Sequence, residues 1–194
     1  MELTKIKELT TLALEASLAA GREIMEIYTK KFDVDFKTDG SPLTEADRAS
    51  HEVIVAFLRD TGIPVLSEEG KDIVFGERSK WSHYWLVDPL DGTKEFIKKN
   101  GEFTVNIALM EEGVPVSGVI FQPVTGNAYA GITGLGLYKF SVSDRPALSS
   151  ERLLKPEFTG PGSTTRVIAS RSHMSENTEN FIEQLRIGAQ QVEL

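Results

Sequence analysis

Residues 84–97 read Tyr84-Trp85-Leu86-Val87-Asp88-Pro89-Leu90-Asp91-Gly92-Thr93-Lys94-Glu95-Phe96-Ile97, an apolar run that passes into a turn carrying two carboxylates and then into a helical pattern. The apolar half has the length of a short buried strand. Pro89 stiffens the turn, Gly92 lets the backbone approach a ligand closely, and the free N–H groups of a helix start suit phosphate. A turn of this kind aims Asp88 and Asp91 at one point. Upstream, Pro64-Val65-Leu66 is a second short strand running into Glu68 and Glu69, so a third carboxylate joins if the two strands are neighbours.

On the N-terminal side, Ile6, Leu9, Ala13, Ala16, Ala20, Ile24 and Ile27 recur at steps of three and four, the spacing of one buried helix face. After a polar break at Lys37-Thr38-Asp39-Gly40-Ser41-Pro42, Thr44 is the N-cap of a second helix with Ala46, Ala49, Val53 and Phe57 inward and Gly62 as its stop. On the C-terminal side, 103–109, 114–121 and 127–132 form an antiparallel meander whose turns are Glu111-Glu112-Gly113 and Thr125-Gly126. From about Ser141 to Thr165 the chain is rich in Ser, Pro, Gly and Thr and reads as a crossing between layers or domains. A strand at 166–170, a helix from Ser175 to Arg186 and the beginning of a strand at 191–194 follow. The division is an N-terminal α+β domain over 1–140 and an incomplete C-terminal α/β domain over 141–194.

The 194 residues carry 21 Lys plus Arg against 29 Asp plus Glu, a net charge of −8, with no long basic run. Nucleic acid is therefore not the expected partner. A phosphorylated small molecule remains open to an acidic protein if bound cations reverse the field around its carboxylates. The absence of cysteine excludes disulfide frameworks, thiolate zinc sites and cysteine nucleophiles. No apolar stretch approaches the roughly 20 residues of a membrane span, and the cytoplasm is the expected compartment, with peripheral membrane association left open. Oxygen ligands without a His cluster, His51, His83 and His173 being far apart in sequence, favour a hard cation, and Mg²⁺ is the usual choice beside phosphate. Each acidic segment taken singly also has an ordinary reading. Asp-x-x-Asp-Gly serves as a polar turn, Glu68-Glu69 as a solvated loop, Asp47 as the capping-box partner of Thr44, Thr93 as a turn hydroxyl and Lys37 as a solvated lysine.

Three segments, Asp39-Gly40-Ser41-Pro42-Leu43-Thr44-Glu45-Ala46-Asp47, Leu66-Ser67-Glu68-Glu69 and Trp85 to Thr93, occur in the order and approximate spacing of the inositol monophosphatase superfamily, which the chain resembles from its first helix to about Leu185. The continuation from Lys94 to Leu109, and Ser170-Arg171-Ser172-His173, resemble its 3′(2′),5′-bisphosphate nucleotidase branch. The resemblance implies an α+β / α/β layered sandwich of the sugar phosphatase type, N-terminal helices packed on an antiparallel sheet and followed by an incomplete second α/β domain. It implies that Glu68, Asp88 and Asp91, with the carbonyl of Leu90, coordinate Mg²⁺, two or three ions in the intact family site, with Li⁺ inhibitory. It places Glu68, Leu90, Asp91, Gly92 and Thr93 against the substrate, Gly92 and Thr93 on its phosphate, and Asp47 with the Thr93 hydroxyl on the attacking water. The activity implied is hydrolysis of the 3′-phosphate of 3′-phosphoadenosine 5′-phosphate to AMP and phosphate.

Inositol phosphates or another sugar phosphate are the alternative substrates within the superfamily. A haloacid-dehalogenase nucleophile needs Asp-x-Asp, whereas two residues separate Asp88 from Asp91. The family's later Trp-Asp-x-Ala segment, whose Asp is a further metal ligand, has no counterpart here, since the only tryptophans are Trp81 and Trp85. The expectation is a missing C-terminal portion, self-association through the edge it leaves, and, as the non-enzymatic alternative, an inactive fragment or binding module.

Overall fold

In the computed structural model, the described residues are 1–37, 42–141, 153–154, 165–167, 169, 174–188 and 192–193. The first element, α1 (Leu3–Tyr28), buries Ile6, Leu9, Ala13, Ala16, Ala20 and Ile24 along one face, as the spacing predicts. Ile27, the last of that series, is only partly buried. The small residues let the helix lie close to the sheet: a Cβ on Gly21 would stand 2.2 Å from the Phe121 ring. After it, β1 (Val34–Phe36) and β2 (Pro42–Thr44) pair as a small antiparallel ribbon around the polar break, a pairing that the sequence pattern does not announce.

Thr44 caps α2 (Glu45–Leu58), its hydroxyl accepting from the Ala46 N–H at 3.2 Å. A single 3₁₀ turn, Arg59–Thr61, then ends on Gly62 in the left-handed region at φ 68°. The inward face of α2 corrects the expectation. Ala46, Asp47, Ser50, Ile54 and Leu58 are buried, whereas Phe57 is 37% exposed and Ala49 and Val53 lie at the flank. An apolar count alone rotates the helix away from Asp47 and Ser50, two polar residues that face inward because the neighbouring segments give them hydrogen-bond partners.

Among the described residues the main sheet has seven strands in the order β3-β4-β5-β6-β7-β8-β9. These are β3 (Val65–Ser67), β4 (His83–Asp91), β5 (Thr104–Glu111), β6 (Val114–Gln122), β7 (Asn127–Ile132), β8 (Gly136–Ser141) and β9 (Leu153–Leu154). Among the described residues of this sheet only the β3–β4 pair is parallel; from β4 onward every neighbour is antiparallel. The meander is therefore as expected, extended by β8 and β9. Its turns carry the positive φ that tight hairpins require, 49° at Glu112 and 78° at Gly113. Period-two alternation places Trp85, Val87, Val105, Ile107, Leu109, Val119, Phe121, Ala128, Ala130, Tyr138 and Phe140 in the core. The opposite face leaves Leu86, Ile120, Tyr129 and Leu137 exposed. Two short helices, α3 (Phe75–Arg78) and α4 (Thr93–Ile97), flank β4.

The chain divides into two units, Met1–Lys155 and Pro156–Leu194. In the second, β10 (Thr165–Arg166) pairs in parallel with β11 (Val192–Glu193), and α5 (Glu176–Gly188) lies between them in sequence. The helix expected from Ser175 to Arg186 and the strand beginning near 191 are thus present. Of the strand expected at 166–170, Ile168 and Ser170 lie outside the described residues, as do Arg171, Ser172, His173, 39–41 and most of the crossing at 141–165. No helix among the described residues is long and apolar enough to cross a membrane.

Candidate active site

The parallel pairing of β3 with β4 sets Leu66 against Leu86 and Ser67 against Val87, and the Glu68 N–H donates to the Val87 carbonyl at 3.1 Å. Both strands thus run in one direction and deliver their acidic ends to the same edge, which meets the condition for Glu68 to join Asp88 and Asp91. Asp88 pairs with Asn106 and Asp91 with Thr104, so three steps along β4 match two along β5. This is a β-bulge. Positions 88 and 91 of a regular strand would point to opposite faces. The extra residue returns Asp91 to the face shared by Asp88, Thr104 and Asn106. A 3.0 Å hydrogen bond from Asn106 Nδ2 to Asp91 Oδ2 holds it there, while Asn106 Oδ1 accepts from the Thr104 hydroxyl at 3.0 Å.

Gly92 follows at φ 99° and ψ 38° as the N-cap of α4, whose first bonds run to the Gly92 carbonyl. A Cβ there would stand 2.8 Å from the Glu102 carbonyl oxygen, so this position needs glycine for its dihedral and for its packing. The turn brings Thr93 back over α2, where its hydroxyl donates to Asp47 Oδ1 at 3.0 Å. The other carboxylate oxygen of Asp47 accepts from the Thr44 N–H at 2.7 Å and the Thr44 hydroxyl at 2.6 Å. Asp47 is 1% exposed. It therefore caps the helix with one oxygen and meets Thr93 with the other.

Burial, and then the carboxylates of Glu68 and Asp91, push the pKa of Asp88 from 3.8 up to about 7, against the Leu90 N–H and the Lys37 ammonium. The Leu90 N–H reaches Asp88 Oδ1 at 3.2 Å. Lys37 bridges Glu68 at 2.8 Å and Glu69 at 2.6 Å. Burial works against its charge, but these carboxylates outweigh it and raise its pKa above the ordinary lysine range. Among the described residues no three His, Cys, Asp or Glu side chains stand, as placed, in a group that could hold a metal ion. Glu68 is turned toward Lys37, with 54% of its side chain exposed.

The structure thus gathers Asp47, Glu68, Asp88, Leu90, Asp91, Gly92 and Thr93 around one end of β4. Sequence reasoning missed Ser50, His51 and Asn106 and left Lys37 as a loop lysine. For Ser50 a signal existed, a polar residue three after Asp47 on what is the buried stripe of a helix. Lys37 and Asn106 gave none, because their partners lie 31 and 15 residues away.

This fold and site define the class: the sequence profile of the inositol monophosphatase family matches residues 5–194, and the chain belongs to that family. Among its relatives, the 3′(2′),5′-bisphosphate nucleotidase CysQ of Escherichia coli strain K12 is 43% identical over 173 residues, covering 86% of this chain and 65% of that protein. The crystal structure of CysQ from Bacteroides thetaiotaomicron matches with a TM-score of 0.82 at 43% identity, over 97% of this chain and 72% of that one. Staphylococcal inositol monophosphatase-1, in its LiCl-soaked inhibitory complex, shares the fold with a TM-score of 0.70 at 18% identity, over 100% of this chain and 67% of that one. The chain spans 65% of the length of the Escherichia coli relative.

Proposed function

We propose that this protein is a magnesium-dependent phosphomonoesterase that removes the 3′-phosphate of 3′-phosphoadenosine 5′-phosphate to give AMP and phosphate. The observation that carries the chemistry is the 3.0 Å Thr93–Asp47 hydrogen bond set beside the bulge that turns Asp88 and Asp91 to one face. The choice of substrate is supported by the 43% identity to a bisphosphate nucleotidase. Glu68, Asp88, Asp91 and the Leu90 carbonyl would supply an all-oxygen donor set suited to a hard cation, with Asp88 and Asp91 already turned to one face by the bulge. To join this set Glu68 would give up Lys37. Mg²⁺ held by these residues would supply charge that neutralises the phosphate oxygens and acidifies the attacking water.

In this reading the Thr93 hydroxyl commits its proton to Asp47 Oδ1, which leaves the Thr93 oxygen as acceptor for a proton of the attacking water. Asp47 takes the proton relayed through Thr93, and its fixed bonds to Thr44 keep it aligned. Gly92 and Thr93 hold the phosphate at the turn. The cytoplasm is the compartment this reading implies.

The test is a phosphate-release assay with Mg²⁺ on 3′-phosphoadenosine 5′-phosphate and on inositol 1-phosphate. Faster release from the nucleotide is expected, with inhibition by Li⁺. A reversed preference assigns the protein to the inositol phosphates instead. Full activity in excess chelator overturns the metal mechanism, and no release from either substrate favours the reading as an inactive fragment or binding module.

A further inference from the structure

One turn of α2 reaches the segments that carry the acidic residues. Asp47 meets Thr93, which follows Asp91 by two residues. Three residues on, the fully buried hydroxyl of Ser50 donates to the Pro89 carbonyl at 2.6 Å. One further, His51 Nδ1 stands 2.8 Å from Ser67 Oγ, immediately before Glu68. Positions i, i+3 and i+4 share one helix face, so a single rigid element sets the spacing of these segments.

The Ser50 contact acts on a defined unit. The Pro89 carbonyl and the Leu90 N–H belong to the same planar peptide group. Ser50 grips its oxygen while Asp88 Oδ1 accepts from its N–H at 3.2 Å. The orientation of that plane therefore fixes the Asp88 carboxylate and where the chain leaves for Leu90 and Asp91. At β3, the Ser67 side chain is tied to His51 while the next N–H, that of Glu68, is tied to the Val87 carbonyl at 3.1 Å. Glu68 is thus anchored at its backbone, while its carboxylate meets Lys37 at 2.8 Å.

We propose that Ser50 and His51 are positioning residues that set the cation donors, Ser50 through the Pro89–Leu90 peptide and His51 through Ser67. The inference rests on the metal reading given above. Its test is calorimetric titration of the metal-stripped full chain with Mg²⁺ alone, for wild type, Ser50→Ala, His51→Ala and His51→Asn, with melting in chelator measured in parallel. Loss of an outer partner lowers metal affinity by about 10- to 100-fold, and that drop is expected for both alanine variants. His51→Asn, whose amide reaches the place of Nδ1, is expected to recover most of it, which a merely space-filling role would not do. If Ser50→Ala does not fold, the His51 pair decides. Wild-type Mg²⁺ affinity in a folded alanine variant, or His51→Asn binding no better than His51→Ala, overturns the positioning role. A wild-type chain that takes up no Mg²⁺ overturns the metal reading and this inference with it.

Discussion

Asp47 shows at the scale of one residue how a capping role leaves room for the proposed catalytic one, because a carboxylate has two oxygens and the fold assigns each a different donor. Asp47→Asn keeps the shape but replaces one acceptor oxygen by a donor. We expect kcat to fall by about 100- to 10,000-fold, the range for removing a group that handles a proton. Thermal melting should fall far less steeply than activity, and an unchanged kcat would return Asp47 to capping alone. Asp88 gives a pH dependence of definite sign. Its folded pKa of about 7 lies above the ordinary 3.8, so between those values the folded chain binds more protons than the unfolded one. Its contribution to the stability of the metal-free protein therefore falls as pH rises through that window. Melting in chelator from about pH 4 to 7 should show this slope, and Asp88→Asn should flatten it. A slope that survives the substitution would assign it to another group.

At the scale of elements, the site depends on two local irregularities of β4, the bulge between Asp88 and Asp91 and the left-handed Gly92. Gly92 and Gly113 separate the two costs of replacing glycine at positive φ. A Cβ on Gly113, at φ 78°, would meet no atom within 4 Å, so alanine there carries only the dihedral penalty of about 1–2 kcal/mol. Gly92→Ala adds the 2.8 Å clash with the Glu102 carbonyl. Chemical denaturation should therefore show a larger loss for Gly92→Ala, and equal losses would mean that α4 shifts freely. Thr44→Ala removes the hydroxyl that caps α2 and donates to Asp47, leaving only the backbone N–H on that oxygen, so it should cost at least the roughly 1 kcal/mol of an ordinary N-cap.

For the whole molecule, a cation that binds only the folded chain stabilises it by mass action, by about 2.7 kcal/mol at a hundred times its Kd. Melting with and without Mg²⁺ should show that rise, and Asp88→Asn combined with Asp91→Asn should abolish it. An equal rise in the double variant would place the cation elsewhere. Much of the molecule was legible in the chain itself. The periodicity of α1, the Thr44 cap, the Gly62 stop, the meander and the acidic strand ends are local patterns, because propensity, capping and turn geometry act over a few residues. The resemblance of three segments carried the candidate residues as well. What only the tertiary structure decided is everything that joins distant positions. The parallel β3–β4 pairing, the bulge that turns Asp91 to the face of Asp88, the Lys37 bridge to Glu68 and the inward rotation of α2 toward Pro89 depend on partners brought together by packing. The exposed Phe57 and the buried Ser50 give the physical reason: hydrophobic spacing counts apolar groups along one helix, whereas burial of a polar group is settled by the hydrogen bond that awaits it on another strand.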